Sequence, residues 1–428
     1  MILLRPQNNT IVYIRSWLRQ NKELFVARLI QGSILFFLVG SHSFANTLII
    51  ICMALVLFTA NWESLKKVIT NRYFILFTTF FLLSLLSTLW SEDVRSAFKY
   101  VELRLLLVLF PFIFCSTDLK VKHSREILFV FITGLFTAAL VGFANSYYDY
   151  HSTLDTGYFF NDNLIDIFNK QAPYISLYVN VALVFIVFLI NGLSTVKKVF
   201  LILLGLLLCI FQLLLAVRIS ILALTILLIV FTIKQLITKS TTMGKVISVV
   251  SLLIVGGLVF TLPQTSNRFK SMLSNLDYQF DNPNPVNHFN GEISSENWNG
   301  LNLRLALWHC GKDIIKNNVF FGVGGGDYKA EMRSQYEIKK FIYAKEQDFG
   351  VHNQFLYSWI SWGAFGLLIF LISLVYPTMA AFANRNYPYL IFLFVISISF
   401  LTENTLNRYI GVYFFGLFNS LLFFQRAK

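Results

Sequence analysis

Three side chains have the chemistry of a group-transfer site and stand where charge is costly. His352 follows a polar loop and opens a long apolar run, HNQFLYSWISWGAFG. An imidazole with an ordinary pKa near 6.5 at such a boundary can take a proton from a hydroxyl. The plainer alternative is a histidine at a helix start that bonds a backbone group. Arg218 interrupts the apolar stretch LLLCIFQLLLAVRISILALTILL. There an arginine must pair, face a polar cavity, or snorkel from a helix end. If it faces a cavity, its planar fork matches phosphate oxygens two at a time. Arg304, in RLALWHCGKDIIKN, is a second candidate of that kind, although most loop arginines are only solvated.

Other groups rank behind these. Asn353 and Gln354 put polar atoms at the depth of His352, and Trp308 shares a helix face with Arg304. The run from Gly322 through Gly324 to Gly326 reads either as backbone N–H groups aimed at an anion or as a tight turn. It is no P-loop, since no Lys-Ser/Thr follows. Lys99, Glu102 and Arg104 enter an apolar run at spacings that allow internal pairing. The four cysteines show no disulfide or zinc spacing and the histidines are scattered, so no metal or other cofactor is expected.

The elements that must position these residues are membrane helices. Of the 428 residues, 56% are hydrophobic and only 13% charged, and mean hydropathy is +0.64. A soluble domain carries nearer a quarter charged residues. The expectation is an all-α polytopic membrane protein with about twelve transmembrane helices. They fall near residues 27–39, 45–60, 73–90, 97–115, 127–147, 172–190, 199–217, 219–236, 246–262, 351–376, 387–401 and 409–424. Three regions follow: an N-terminal transmembrane bundle of about nine spans (1–262), a loop domain with short helices (263–350), and about three C-terminal spans (351–428). No cleavable signal peptide is expected, because the first apolar run begins only after Arg28.

The net charge of +13 would point to nucleic acid in a soluble chain. Here the excess follows the positive-inside pattern instead, so no nucleic-acid partner is expected. With the N-terminus inside, Lys66, Lys67, Arg72, Lys120, Lys122, Arg125, Lys197 and Lys198 fall in cytoplasmic loops, and both termini are cytoplasmic. The long loop 263–350 then lies outside, as do Arg218 and His352. Within it the polar stretch 276–300 reads as irregular. A helix is predicted from about Asn302 to Asn317, with Leu303, Leu307, Cys310 and Ile314 as its apolar stripe. A second, about 329–345, is of a kind that lies on the membrane interface.

Taken together, LLLAVRIS, the Arg-Leu-x-x-Trp and Gly-Val-Gly of the loop, His-Asn-Gln-Phe-Leu before Trp362-Gly363 and Gly366, and the tail TENTLNRYIGVYFFGLFNSLLFF resemble the O-antigen ligase superfamily. Where that family often has a serine before its turn arginine, this chain has Val217. The resemblance implies a bacterial inner-membrane glycosyltransferase with a periplasmic active site. It would move a glycan from an undecaprenyl diphosphate carrier to the lipid A–core sugar, without a metal and with expected inversion. By the same resemblance Arg218 and Arg304 would hold the diphosphate and His352 would position or deprotonate the acceptor. Trp308, Gly322, Gly324, Asn353 and Gln354 would line the substrate. An O-antigen polymerase or O-linked oligosaccharyltransferase would use the same donor. A lipid or solute transporter is the distant alternative, disfavoured by the lack of internal repeats.

Overall fold

The structure is a computed structural model that describes residues 7–190, 192–238, 242–261, 278–282 and 298–425. Among them there is helix and no β-strand. The first half contains α1 (Gln7–Leu38), α2 (His42–Thr59), α3 (Trp62–Ile69), α4 (Arg72–Ser87), α5 (Val94–Arg104), α6 (Leu106–Ser116), α7 (Val121–Thr153) and α8 (Ala172–Leu189). It continues with α9 (Thr195–Leu215), α10 (Arg218–Ile237) and α11 (Thr242–Thr261). Three short helices, α12 (Asn302–Asn317), α13 (Tyr328–Ile338) and α14 (Ile342–Glu346), precede α15 (Gln354–Ala383), α16 (Tyr387–Phe400) and α17 (Tyr409–Phe424).

By length and apolarity six of these helices can cross a membrane: α2, α7, α8, α9, α10 and α15. The bent pair α3–α4, which meets at 65°, makes a seventh if it is one span. Of the other expected spans, 27–39 falls in the last part of the 32-residue α1 and 246–262 in α11, neither of which is among the six; α16 has 14 residues and α17 has 16, and the run 97–115 is split at Leu105 into α5 and α6. Most of the polar stretch 276–300 lies outside the described residues.

Two helices form the centre. Residues 411–422 of α17 are buried without a break, and α8 is covered almost as fully. Helices enclosed on all sides must be apolar all round, and these are. Their contacts are largely aromatic. Tyr413 stacks on Phe37 of α1 with centroids 3.9 Å apart, Phe414 stacks on Tyr178 of α8, and Phe418 meets Phe131 of α7 edge-on. Such packing replaces the hydrophobic drive that is weak between helices in lipid.

Basic residues close the helix ends. On one end of the bundle Arg15 and Arg19 donate to the terminal carbonyls of Ala60 and Thr59 after α2. Lys22 donates to Ser116 O at the end of α6, and Arg125 to Leu189 O at the end of α8. Cations there satisfy orphan carbonyls and the negative pole of the helix dipole. The positive loops of the sequence thus have a structural use. At the opposite end Lys170 donates 2.6 Å bonds to Phe37 O and Leu38 O. Burial pushes its ammonium down to about 7.

Helix α15 is broken. Gly363 has φ 67° and ψ −170°, which opens the ladder inside an apolar span. The segment after α12 fills the opening: Val323 N–H donates to Ile360 O, Gly324 N–H to Ser361 O, and Ala364 N–H to Val319 O. Broken backbone at membrane depth persists only when it is satisfied by protein in this way. A side chain at Gly363 would collide with Phe320 O, and one at Gly322 would come within 2.5 Å of Ile360 O.

The short helices pack as a unit over this region. On α12 the stripe Leu303, Leu307, Cys310 and Ile314 is buried, as its spacing implies. The expected second helix is interrupted at Lys340, which has φ 56°, giving α13 and α14. Its apolar residues Met332, Tyr336 and Phe341 are buried against protein, so they do not face a membrane surface; Ile338 and Ile342 stay exposed.

Candidate active site

The turn between α9 and α10 places Arg218. Ala216 takes the left-handed conformation with φ 50°, the chain reverses, and Arg218 becomes the first residue of α10. Arg304 lies one turn into α12. Both guanidinium groups border one small residue, Gly300. A Cβ there would stand 2.5 Å from Arg218 Nη2 and 3.4 Å from Arg304 Nη1. The two cations are therefore separated by no more than the sum of those distances. Like charges held this close favour an anion between them.

Glu403 joins this pair to His352. It lies between α16 and α17 and is 6% exposed. Arg304 Nη2 meets Glu403 Oε1 at 3.0 Å, and His352 Nδ1 meets Glu403 Oε2 at 3.2 Å. Arg304 also donates through Nε to Thr402 O and through Nη1 to Gly300 O. Among the described residues three of its five N–H groups are thus engaged. Burial alone would raise the Glu403 carboxyl, but His352 and then Arg304 outweigh it and hold it at about 2. The carboxylate is charged at any working pH. It favours a proton on His352 Nδ1, which leaves Nε2 as the acceptor.

Backbone geometry aims the imidazole. His352 has φ 47°, and histidine is among the few non-glycine types enriched in that region. Side chains tie residues 351–354 to residues 401–407. Asn353 N–H donates to Asn404 Oδ1, Asn353 Nδ2 to Leu401 O, and Leu406 N–H to Gln354 Oε1. Asn353 also caps α15, accepting from Phe355 N–H and Leu356 N–H. Val351 N–H donates to the Tyr328 hydroxyl. Asn353 and Gln354 therefore stand as braces of the His352–Glu403 pair, although Gln354 Nε2 is buried without a protein partner among the described residues.

Arg104 braces the same segment from below. Fully buried, it donates to Leu406 O, Asn407 Oδ1, Ser84 Oγ and the Tyr357 hydroxyl. Its guanidinium lies within about 5 Å of the rings of Phe80, Tyr100, Tyr357 and Trp362. Lys99 and Glu102 sit apart, on a separate groove with Asn46 and Tyr409.

The glycine run is built differently from an anion nest. The amides of Gly322, Val323 and Gly324 bond the carbonyls of Asn318, Ile360 and Ser361. Those of Gly325 and Gly326 bond the hydroxyls of Ser87 and Ser91. Gly322 and Gly324, at φ 69° and 95°, serve close packing, Gly322 against α15 and Gly324 against Ser91 beyond the end of α4. Trp308, one turn beyond Arg304, is half-buried, and its Nε1 has no protein partner among the described residues.

Arg218, Arg304 and His352 thus converge, although 86 and 48 residues separate them in sequence. Glu403 and Gly300 were not singled out from the sequence. A lone acid directly after an apolar run was the available signal for Glu403. No curated protein matches this chain. Arg218, Arg304 and His352 all fall within residues 200–371, the segment that matches the family model for O-antigen ligase, and this match supports the O-antigen ligase superfamily.

Proposed function

We propose that this membrane enzyme of the O-antigen ligase and polymerase family transfers a glycan from undecaprenyl diphosphate to an acceptor hydroxyl. The reaction takes place at the periplasmic face of the bacterial inner membrane. The observation that carries the reading is the convergence of two arginines and a histidine around Gly300 and Glu403. In the reaction the acceptor oxygen attacks the anomeric carbon, and its proton passes to His352 Nε2. The bond from that carbon to the diphosphate oxygen breaks. The diphosphate leaves with the electron pair, and Arg218 and Arg304 balance its charge. Glu403 stabilises the imidazolium that forms, as the acid of a catalytic triad does. Attack opposite the leaving group inverts the sugar carbon. Lipid A–core is the proposed acceptor.

The test is transfer by the purified protein from a synthetic polyprenyl-diphosphate glycan, with lipid A–core, a second lipid-linked repeat or a serine peptide as acceptor. Product on lipid A–core alone supports the ligase. Product on the second repeat assigns a polymerase, and product on the peptide a protein glycosyltransferase. No transfer to any of them refutes the reading.

A further inference from the structure

A cavity of about 940 Å³ opens at the end of the bundle opposite His352. Its volume is near the top of the range for pockets that bury small molecules, roughly 300–1,000 Å³. It lies between α1, α7 and the connection from α8 to α9. Its lower walls are apolar, formed by Phe129, Val130, Leu193, Phe200 and Leu201. Its charged lining is mostly cationic: Arg28, Lys122, Arg125 and Lys197 with one carboxylate, Glu126.

The charges are unequally engaged. Glu126 is met by Arg28 at 3.6 Å and by His123 at 3.3 Å. Arg125 reaches Leu189 O. Lys122 and Lys197 form no ion pair among the described residues. Among the described residues one buried donor also lacks a protein acceptor: Gln31, 6% exposed, lines the cavity, and its Nε2 has no partner there. A buried N–H of this kind is left for an acceptor from outside the protein, a water or a ligand.

We propose that this groove is a binding site for an anionic phospholipid, with its phosphate at Lys122, Lys197 and Gln31 and an acyl chain along Phe129, Val130 and Phe200. A soluble anion would use the cations and leave the apolar wall idle. A zwitterionic lipid would use the wall but carries its own cation to the basic lining. Only a lipid with net negative charge uses both. The site is separate from the transfer site and does not depend on the reaction assigned there.

The experiment uses the full-length protein in neutral detergent, titrated with phosphatidylglycerol or phosphatidylcholine, with bound lipid counted by native mass spectrometry. The wild type is expected to retain one phosphatidylglycerol in clear preference to phosphatidylcholine. Each lysine beside an anionic headgroup is worth about fivefold in affinity, so Lys122→Gln with Lys197→Gln should cut that preference roughly thirtyfold. Both lysines are exposed, so the fold is unaffected. Val130→Trp fills the apolar part and should weaken both lipids. Equal binding of the two lipids by the wild type overturns the proposal. So does an unchanged preference in the double lysine variant, or undiminished binding by Val130→Trp.

Discussion

Replacing Glu403 by glutamine isolates the orienting role of the carboxylate. The side chain keeps its shape, and its amide oxygen still accepts from Arg304, now 3.0 Å away. On the other side an N–H group faces His352 Nδ1, where a carboxylate oxygen stood at 3.2 Å. The imidazole must turn away or carry its proton on Nε2, which presents a donor where the acceptor hydroxyl needs a base. General-base catalysis contributes about 10²–10⁴ in rate, so transfer should fall by about 10²–10³. Breaking a fully buried pair costs about 3–5 kcal/mol. Here the two partner side chains are 26% and 23% exposed, and an amide keeps one hydrogen bond, so a loss of only about 1–2 kcal/mol is expected. The assay follows lipid-linked donor consumed per minute by purified protein, beside thermal unfolding in the same detergent. A variant that transfers within threefold of the wild type would refute the assignment of Glu403 and His352 as a working pair.

Three further outcomes are expected. Arg218→Ala and Arg304→Ala should each lower transfer at least a hundredfold while the protein still inserts, and lysine should rescue Arg218 only in part, because a point charge lacks the fork; full activity of both alanine variants on a glycan gel would remove the clamp. Gly300→Ala puts a methyl group 2.5 Å from Arg218 Nη2, a movable side-chain end, so it should cost between about ten- and a hundredfold in transfer with little change in unfolding temperature. Glu403 is held at about 2 against an ordinary 4.5, so its contribution to stability is complete above pH 4.5 and is lost as pH falls towards 2. The wild type should therefore lose stability more steeply across that window than Glu403→Gln, as measured by unfolding at a series of pH values.

The sequence made parts of this site visible because they violate their surroundings. An arginine in an apolar run marks a turn that faces polar groups, and Arg218 begins α10 just after such a turn. The stripe on α12 and the polar trio at 352–354 were legible from spacing. Other parts depend on partners that spacing cannot name. Glu403 gains its meaning from Arg304 and His352, which are 99 and 51 residues away. Gly300 matters because two guanidinium groups arrive beside it, and nothing local announces that. The glycines at 322–326 read equally as an anion site or as a tight turn; the arrival of α15, Ser87 and Ser91 engages most of their amides. Arg104 looked suited to a neighbouring acid, yet its side chain reaches the far end of the chain instead.

The break at Gly363 has a consequence for the order in which the protein is made. The open carbonyls of Ile360 and Ser361 and the N–H of Ala364 find their partners in residues 319–324, which leave the ribosome earlier. If 263–350 is exported, that segment is already across when α15 enters the bilayer, and α15 completes its hydrogen bonds by docking onto it. Lipid offers those groups nothing, so a span that arrived first would wait with unsatisfied backbone. The chain order, short helices before the broken span, is the one in which no intermediate has to hold that gap open.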